Sequence, residues 1–358
     1  MSAAQLFTPY RLGRIELANR IAMAPMTRNR ALGNVPNDLM AQYYAQRAAA
    51  GLIITEGVSP SPNGLGYARI PGLFSADQVA GWKAVTAAVH AAGGKIFAQL
   101  MHTGRASHVA NLPAGAKVVA PSAVALPDAI WVDGQGQVPA SLPEAMSAEQ
   151  VHATLDEYAR AGELAIEAGF DGVELHGANG YLIDQFLNSA SNKRSDEWGG
   201  SVENRIRFAV EAARRTAARI GADRVAMRIS PYGVFNGMAP DAEMDLLYGA
   251  LAGELSALGL VYIHVVDHSS MGAPALPSEV KDLIRNGFEG TYILSGGYDA
   301  ARAEADLQAG LGELVAFGRP FISNPSLVQK LKSGAALTPP DFNTFYTPAA
   351  EGYTDYPA

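Results

Sequence analysis

Residues 174–208 read ELHGANGYLIDQFLNSASNKRSDEWGGSVENRIRF, and the first eight of them hold three groups that could share one reaction. His176 and Asn179 carry N–H donors suited to a carbonyl oxygen, and Tyr181 is a weak acid that could deliver a proton. None of the three is an oxidant or a reductant. If the site does redox chemistry, the electrons must come from a bound cofactor. The rest of the chain must then supply both a seat for that cofactor and a frame for the trio.

The frame shows in the pattern of apolar runs. Eight short ones occur, at 20–26, 52–58, 95–101, 172–176, 224–230, 261–267, 290–296 and 314–319. Between them, residues 77–91, 148–168, 202–219, 241–257 and 299–308 have the apolar spacing of amphipathic helices, several opening on an Asp or Ser able to cap. Near-continuous apolar strands suit a parallel sheet buried on both faces, so eight alternations predict an α/β fold of the (β/α)8 TIM-barrel type. A doubly wound sheet would call for G-x-G-x-x-G after its first strand, where none stands. Residues 1–358 are expected to form one domain. Residues 103–147, rich in Pro, Ala and Gly with extended pieces near 117–124 and 130–138, read as a hairpin-containing lid inserted after strand three. The segment 6–17, with its turn at Gly13, is expected to cap the opposite end of the barrel.

Barrel enzymes place chemistry at the C-terminal ends of their strands. Here those ends carry Pro25, Met26 and Thr27; Glu56 and Gly57; Gln99 and His102; His176; Arg228; Ser295, Gly296 and Gly297; and Gly318 and Arg319. The set suits flavin mononucleotide. Glycines after strands seven and eight let backbone N–H groups approach a phosphate, and Arg319 adds positive charge. Asn324 and Pro325 read as the cap and first residue of a further helix. Arg228 interrupts an apolar strand, where an unpaired charge is costly. Either an anionic reduced flavin or an ion pair with Glu56 or Glu174 answers that cost. Gln99 and Thr27 supply hydrogen bonds for the same ring.

The composition sets the class. Hydrophobic residues make up 48% and the net charge is −8, which suits a folded, soluble protein and disfavours a nucleic-acid surface. There is no cysteine, hence no disulfide and no thiolate chemistry. The start of the chain does not read as a signal peptide, and no apolar run approaches the roughly 20 residues of a membrane span. A cytoplasmic enzyme acting on small molecules, as a monomer or homodimer, is expected. Two rival classes stand beside the flavoenzyme. His102, His176, His264 and His268, with Asp267, could supply a metal-dependent barrel hydrolase or lyase, and a non-catalytic flavin-storage barrel would leave Tyr181 without a role. His90 and His152 lie in helices and read as surface residues; no role is assigned to His108 in the lid segment.

The motifs MAPMTR (23–28), QLMHTGR (99–105), the long 174–208 stretch and AFGRPFISNP (316–325) together resemble the Old Yellow Enzyme family. The resemblance runs from residue 6 to the terminal EGYTDYP. It implies an FMN-dependent TIM barrel that takes hydride from NADPH or NADH and reduces the activated C=C bond of enones, enals, maleimides and nitro compounds by a ping-pong cycle. By the same resemblance, Pro25, Met26, Thr27, Gly57, Gln99 and Arg228 would meet the flavin ring. Gly296, Gly297, Gly318 and Arg319 would hold its phosphate. His176 and Asn179 would grip the substrate oxygen, Tyr181 would donate the proton, and Tyr67 and Tyr346 would line the pocket. Thr27, in place of a cysteine, resembles the yeast and enterobacterial branch. Met101 departs from the tryptophan common there, which implies a more adaptable pocket with altered facial selectivity.

Overall fold

The computed structural model describes residues 4–357. An antiparallel hairpin, β1 (Tyr10–Leu12) and β2 (Ile15–Leu17), comes first. Three barrel strands follow, β3 (Ile21–Met23), β4 (Leu52–Val58) and β5 (Ile96–Leu100). The insertion adds β6 (Val119–Ala120), β7 (Ala129–Val132), β8 (Gly136–Pro139) and β9 (Glu144–Ala145). The barrel resumes with β10 (Gly172–Gly177), β11 (Val225–Ile229), β12 (Tyr262–Val266), β13 (Thr291–Ser295) and β14 (Leu314–Phe317). These eight parallel strands close in the order β3, β4, β5, β10, β11, β12, β13, β14 and back to β3. The TIM-barrel expectation holds.

Among the described residues, ten α-helices accompany them: α1 (Asp38–Ala45), α2 (Ala76–Ala91), α3 (Ala148–Glu167), α4 (Leu182–Leu187), α5 (Val202–Ile220), α6 (Met244–Ala257), α7 (Ser278–Gly287), α8 (Ala300–Gln308), α9 (Arg319–Ser323) and α10 (Leu327–Ser333). Ser75 and Ser147 close capping boxes on α2 and α3, and Ser201 and Asp299 cap α5 and α8. Two expectations need correction. The helix expected over 241–257 begins only at Met244, because the Asp241 carboxylate is held by Arg205 Nη1 (3.0 Å) and the Ser189 hydroxyl (2.5 Å). Asn324 does not open the following helix: it stands at the C-cap of α9 and Ser326 holds the N-cap position of α10, while Asn324 Oδ1 accepts from the Thr338 N–H (2.8 Å) and Lys330 Nζ (3.0 Å).

Strand period two sorts the side chains into an outer and an inner set. Ile53, Ala98, Leu175, Met227, Ile263 and Val315 belong to the large core between strands and helices. Leu52, Ile54, Phe97, Ala226, Tyr262, Ile293, Leu314 and Ala316 form a second, inner core together with Leu12 and Leu17 of the β1–β2 hairpin. The hairpin thus plugs the N-terminal end of the barrel. One step further along the inner face the character changes from apolar to polar. Glu174 pairs in register with Gln99, and Arg228 sits between His176 and His264. That polar layer is the floor of the site.

Two outer pieces shape its rim. In the insertion, β7 and β8 form the expected hairpin, whose Ile130, with nearby Leu126, packs against Tyr67 and Tyr181. Asp133 at its turn is paired with Arg69, and Arg69 Nη2 also donates to the Tyr346 carbonyl (2.8 Å). The C-terminal segment is held by three fully buried arginines. Arg28 donates to the carbonyls of Phe345 (3.0 Å) and Gly352 (2.7 Å), and Arg30 to those of Thr344 (2.7 Å), Phe345 (2.6 Å) and Ala349 (3.1 Å). Arg47 reaches the carbonyls of Phe321 (2.7 Å) and Ile322 (2.8 Å) and lies 3.7 Å over the Tyr43 ring, which itself stacks on Tyr353 at 4.0 Å. Burial and the neighbouring Arg28 push Arg30 down to about 10, still charged at neutral pH.

Candidate active site

A cavity of about 750 Å³ opens at the C-terminal ends of the strands, within the size range of small-molecule and cofactor pockets. Of the residues that the family resemblance assigns to flavin or substrate, all but one line it: Pro25, Met26, Thr27, Gly57, Gln99, Met101, His176, Asn179, Tyr181, Arg228, Gly296, Gly297, Gly318, Arg319 and Tyr346. Tyr67 is the exception. It reaches the site through Tyr181, against which it packs edge-on with ring centroids 6.0 Å apart. Tyr346 stands at the outer wall with Phe342 and Phe345.

One end of the cavity is built for an anion. Gly296 and Gly297 adopt φ +146° and +65°, values that disfavour any side chain. A Cβ on Gly296 would lie 2.7 Å from the Asp267 carbonyl oxygen, and one on Gly297 2.5 Å from Ser270 Cβ. Only glycine lets this loop press on the 267–270 segment. Arg319 opens α9 beside it with an exposed guanidinium, whose one protein partner among the described residues is the Ser270 carbonyl (3.3 Å). A phosphate would meet backbone N–H groups and a full positive charge there.

The floor is the polar layer of the barrel. Glu174 is fully buried and accepts from Gln99 Nε2 (2.8 Å) and the Tyr262 hydroxyl (3.0 Å), with His264 Nδ1 at 2.9 Å. Burial alone would raise its pKa. The adjoining His264, then Arg228 and Gln99, outweigh that and hold it below the usual carboxylate range. Arg228 makes neither of the ion pairs that Glu56 or Glu174 could have offered. A register shift between Ile54 and Gly57 takes Glu56 to Tyr44 (3.3 Å) and the Arg28 N–H (3.4 Å) instead. Burial lowers the Arg228 pKa and the nearby Glu174 opposes it, yet Nε of this buried guanidinium has no hydrogen-bond partner. A ligand with acceptor atoms over the floor is the natural complement, as the pyrimidine edge of a flavin has. Gly57 lets the wall come close, since a Cβ there would fall 2.4 Å from Met101 Sδ and Cε.

The trio stands at the end of β10, which carries His176, and on the tight loop from there to α4, which carries Asn179 and Tyr181. Asn179 and Gly180 both have left-handed backbone, at φ +60° and +73°. The loop is held by Gly180 N–H to Asp184 Oδ2 (2.8 Å), Gln185 Nε2 to the Gly180 carbonyl (2.8 Å) and Asn236 Nδ2 to the Asn179 carbonyl (2.7 Å). His176 Nδ1 accepts from the Ala178 N–H (3.3 Å), so in the neutral ring the proton sits on Nε2. The ring is neutral: burial first, then the positive Arg228 and the histidines 264 and 268, hold its pKa well below the ordinary value. Asn179 Oδ1 is engaged by His268 Nε2 (2.8 Å), which leaves Nδ2 as its remaining donor. Burial raises Tyr181 above the ordinary phenol range, against a hydrogen bond from Tyr67 that works to lower it, so it is protonated at neutral pH.

The histidines proposed as metal ligands are not gathered. His102 Nδ1 accepts from the Gly104 N–H (3.0 Å), and its ring, driven by burial to about 3, is neutral. His264 is committed to Glu174, and among the described residues no group of three or more His, Asp or Glu is placed to hold a metal ion. His90 pairs with Asp171 (3.0 Å) and His152 with Arg215 (2.9 Å), both at the surface as expected. His108 caps the turn at Val109 through Nδ1. Of the supporting residues, Asp184, Ser230 and Asn236 went unassigned in the sequence, while Glu174 was read only as a possible partner of Arg228 and His268 only as a possible metal ligand. Glu174, Ser230, Asn236 and His268 bond to partners 51 to 90 residues away, whereas Asp184 accepts from Gly180 only four residues before it. Among the described residues, no helix is long and apolar enough to cross a membrane.

Residues 5–338 match the model of the NADH:flavin oxidoreductase / NADH oxidase family. The chain is 40% identical to 12-oxophytodienoate reductase 7 of Oryza sativa subsp. japonica, over 99% of this chain and 94% of that protein. Morphinone reductase solved in complex with tetrahydroNAD superposes with a TM-score of 0.93 at 43% identity, covering 98% of this chain and 97% of the other. The Old Yellow Enzyme homologue of Zymomonas mobilis superposes with a TM-score of 0.94 at 40% identity, covering 99% of each chain.

Proposed function

Because the chain belongs to the NADH:flavin oxidoreductase / NADH oxidase family, the FMN-dependent oxidoreductases of the Old Yellow Enzyme type, we propose that it uses NADPH or NADH to reduce the activated C=C bond of α,β-unsaturated carbonyl compounds. The observation that carries this reading is the pairing of two unengaged donors with a neutral phenol at one end of the cavity. His176 Nε2 and Asn179 Nδ2 have no protein partner among the described residues, and the Tyr181 ring lies against His176 with centroids 4.9 Å apart.

Bound FMN would supply the hydride chemistry that no side chain here possesses, accepting from the nicotinamide and delivering to the β-carbon of the acceptor. Gly296, Gly297, Gly318 and Arg319 would hold its phosphate. Arg228, Gln99, Thr27 and the backbone of Pro25, Met26 and Gly57 would meet its ring. Negative charge gathers on the substrate's carbonyl oxygen during the reaction. His176 Nε2–H and Asn179 Nδ2–H are positioned to donate to that oxygen, each worth about 3 kcal/mol in the transition state. Tyr181 then gives its phenolic proton to the α-carbon. One cavity must admit reductant and acceptor in turn, which supports a ping-pong order. Tyr67, Met101 and Tyr346 would shape the space around the acceptor.

The experiment is optical. Purified protein should be yellow, lose its flavin band on anaerobic NADPH addition and recover it on adding 2-cyclohexenone. A band that bleaches but does not return with any enone, enal or maleimide rejects the acceptor class. A band that NADPH and NADH both leave intact rejects the catalytic reading altogether.

A further inference from the structure

Asn179 is fixed at three points that lie far apart in the chain. Its N–H donates to Ser230 Oγ (2.9 Å), its carbonyl accepts from Asn236 Nδ2 (2.7 Å), and its side-chain Oδ1 stands 2.8 Å from His268 Nε2. The first two bonds hold the left-handed backbone. The third does something else. A carboxamide has a donating end and an accepting end of almost the same shape, and half a turn about Cβ–Cγ exchanges them. Only the donating end can hold a carbonyl or phenolate oxygen; the accepting end would set lone pairs against it.

We propose that His268 is a positioning residue that selects the donating orientation of Asn179, by giving its Nε2–H to Oδ1 and so turning Nδ2 toward the substrate oxygen. This rests on the reading that His176 and Asn179 grip that oxygen. The surroundings of His268 suit the task. The imidazole is buried, lines the cavity, and lies edge-on to Phe235 with centroids 4.6 Å apart, which limits its rotation. Its segment is pinned on both sides. Asp267 accepts from the Ser269 N–H (3.0 Å) and pairs with Lys281 (2.7 Å), and Ser270 meets Gly297 and Arg319. The same short segment therefore touches the anion end of the cavity and the residue that would receive the substrate. The consequence is selectivity for ligands that present an acceptor atom, since a freely flipping amide would also receive ligands that present a donor.

The test is a double-mutant cycle on the flavin-loaded protein, read as the dissociation constant of a para-substituted phenol from its charge-transfer absorption and as kcat/KM for 2-cyclohexenone. The variants are His268→Phe, which keeps the ring contact with Phe235 and removes the donor, Asn179→Ala, and the two combined. His268→Phe should weaken phenol binding by up to about tenfold, the worth of one oriented hydrogen bond. In the Asn179→Ala background the same change should have almost no effect, and His268→Gln, which retains an N–H donor, should recover most of the loss. Equal losses in both backgrounds, or phenol binding by His268→Phe as tight as in the native protein, overturn the inference. If Asn179→Ala by itself leaves phenol binding unchanged, the oxygen-grip reading is what has failed. Should the phenylalanine variant not retain flavin, the cycle with His268→Leu decides in its place.

Discussion

Replacing Tyr181 by Phe isolates the proton-transfer step, because the structure separates the hydroxyl from everything else the ring does. The ring keeps its edge contacts with His176 at 4.9 Å and Tyr67 at 6.0 Å, and its packing beneath Leu126 and Ile130 of the lid. What is lost is the hydroxyl's hydrogen bonding with Tyr67 and Asn236, worth about 1 kcal/mol of stability per bond, and the acidic proton. General-acid catalysis by a positioned group contributes roughly 10²–10⁴ in rate, or about 3–5 kcal/mol of barrier. Stopped-flow absorbance reads the two half-reactions apart. Flavin reduction by NADPH should stay within about twofold of the native rate, while reoxidation by 2-cyclohexenone falls by the full factor. The pH profile adds a second check. Since burial raises Tyr181, native reoxidation should hold steady until the pH exceeds the ordinary phenol value of about 10, and then fall as the proton is lost. The phenylalanine variant should lack that limb. Equal slowing of both half-reactions, or an unchanged alkaline limb in the variant, refutes the assignment of Tyr181 as proton donor.

Removing both oxygen donors, His176→Ala with Asn179→Ala, should abolish the long-wavelength colour formed with para-substituted phenols and lower enone kcat/KM by more than about 10³, given about 3 kcal/mol for each donor; a tight, coloured phenol complex in the double variant contradicts the grip. Met101→Trp places a rigid indole where a thioether now presses on Gly57, so the enantiomer ratio from a 2-substituted enone, measured by chiral chromatography, should shift, and identical ratios over several substrates reject Met101 as a selector. Asp184 is buried and raised to about 7, so between about pH 4 and 7 the folded state holds a proton that the unfolded chain has released, and stability falls as pH rises through that window. Urea titrations at pH 5 and pH 8 should show Asp184→Asn gaining on the native protein by up to roughly 3 kcal/mol between the two pH values, and a pH-independent difference would mean that Asp184 is ionised in the fold.

What the sequence discloses of this molecule is what is local along it. Parallel strands buried on both faces leave unbroken apolar runs such as LIITEGV, and His176, Asn179 and Tyr181 fall within six residues of chain, so barrel and trio are both readable. The Gly296–Gly297 pair after β13 and Gly318 after β14 are readable for the same reason. Contacts across the barrel leave no such trace. His268 stands 89 residues from Asn179, and His264 stands 90 from Glu174; either histidine, taken alone, reads equally well as a metal ligand. Asn324 before a proline has the local form of a helix cap, yet the loop at Thr338 takes its side chain. Tyr67 reads as pocket wall, and only packing shows that it acts on the site through Tyr181.

The arginine clamp on the C-terminal segment bears on how the chain comes to be folded at all. Arg28, Arg30 and Arg47 are synthesised early, but most of the carbonyl oxygens that satisfy them belong to residues 321–352. Until those residues leave the ribosome, three guanidiniums would have to be buried without partners, at several kcal/mol each. The first half of the barrel therefore lacks the partners for its own buried charges, and closure waits for residues 321–352. A product that stops before residue 344 would lack more than a pocket wall: it would carry three cations with no place to go, a chemical mark by which an unfinished chain differs from a finished one.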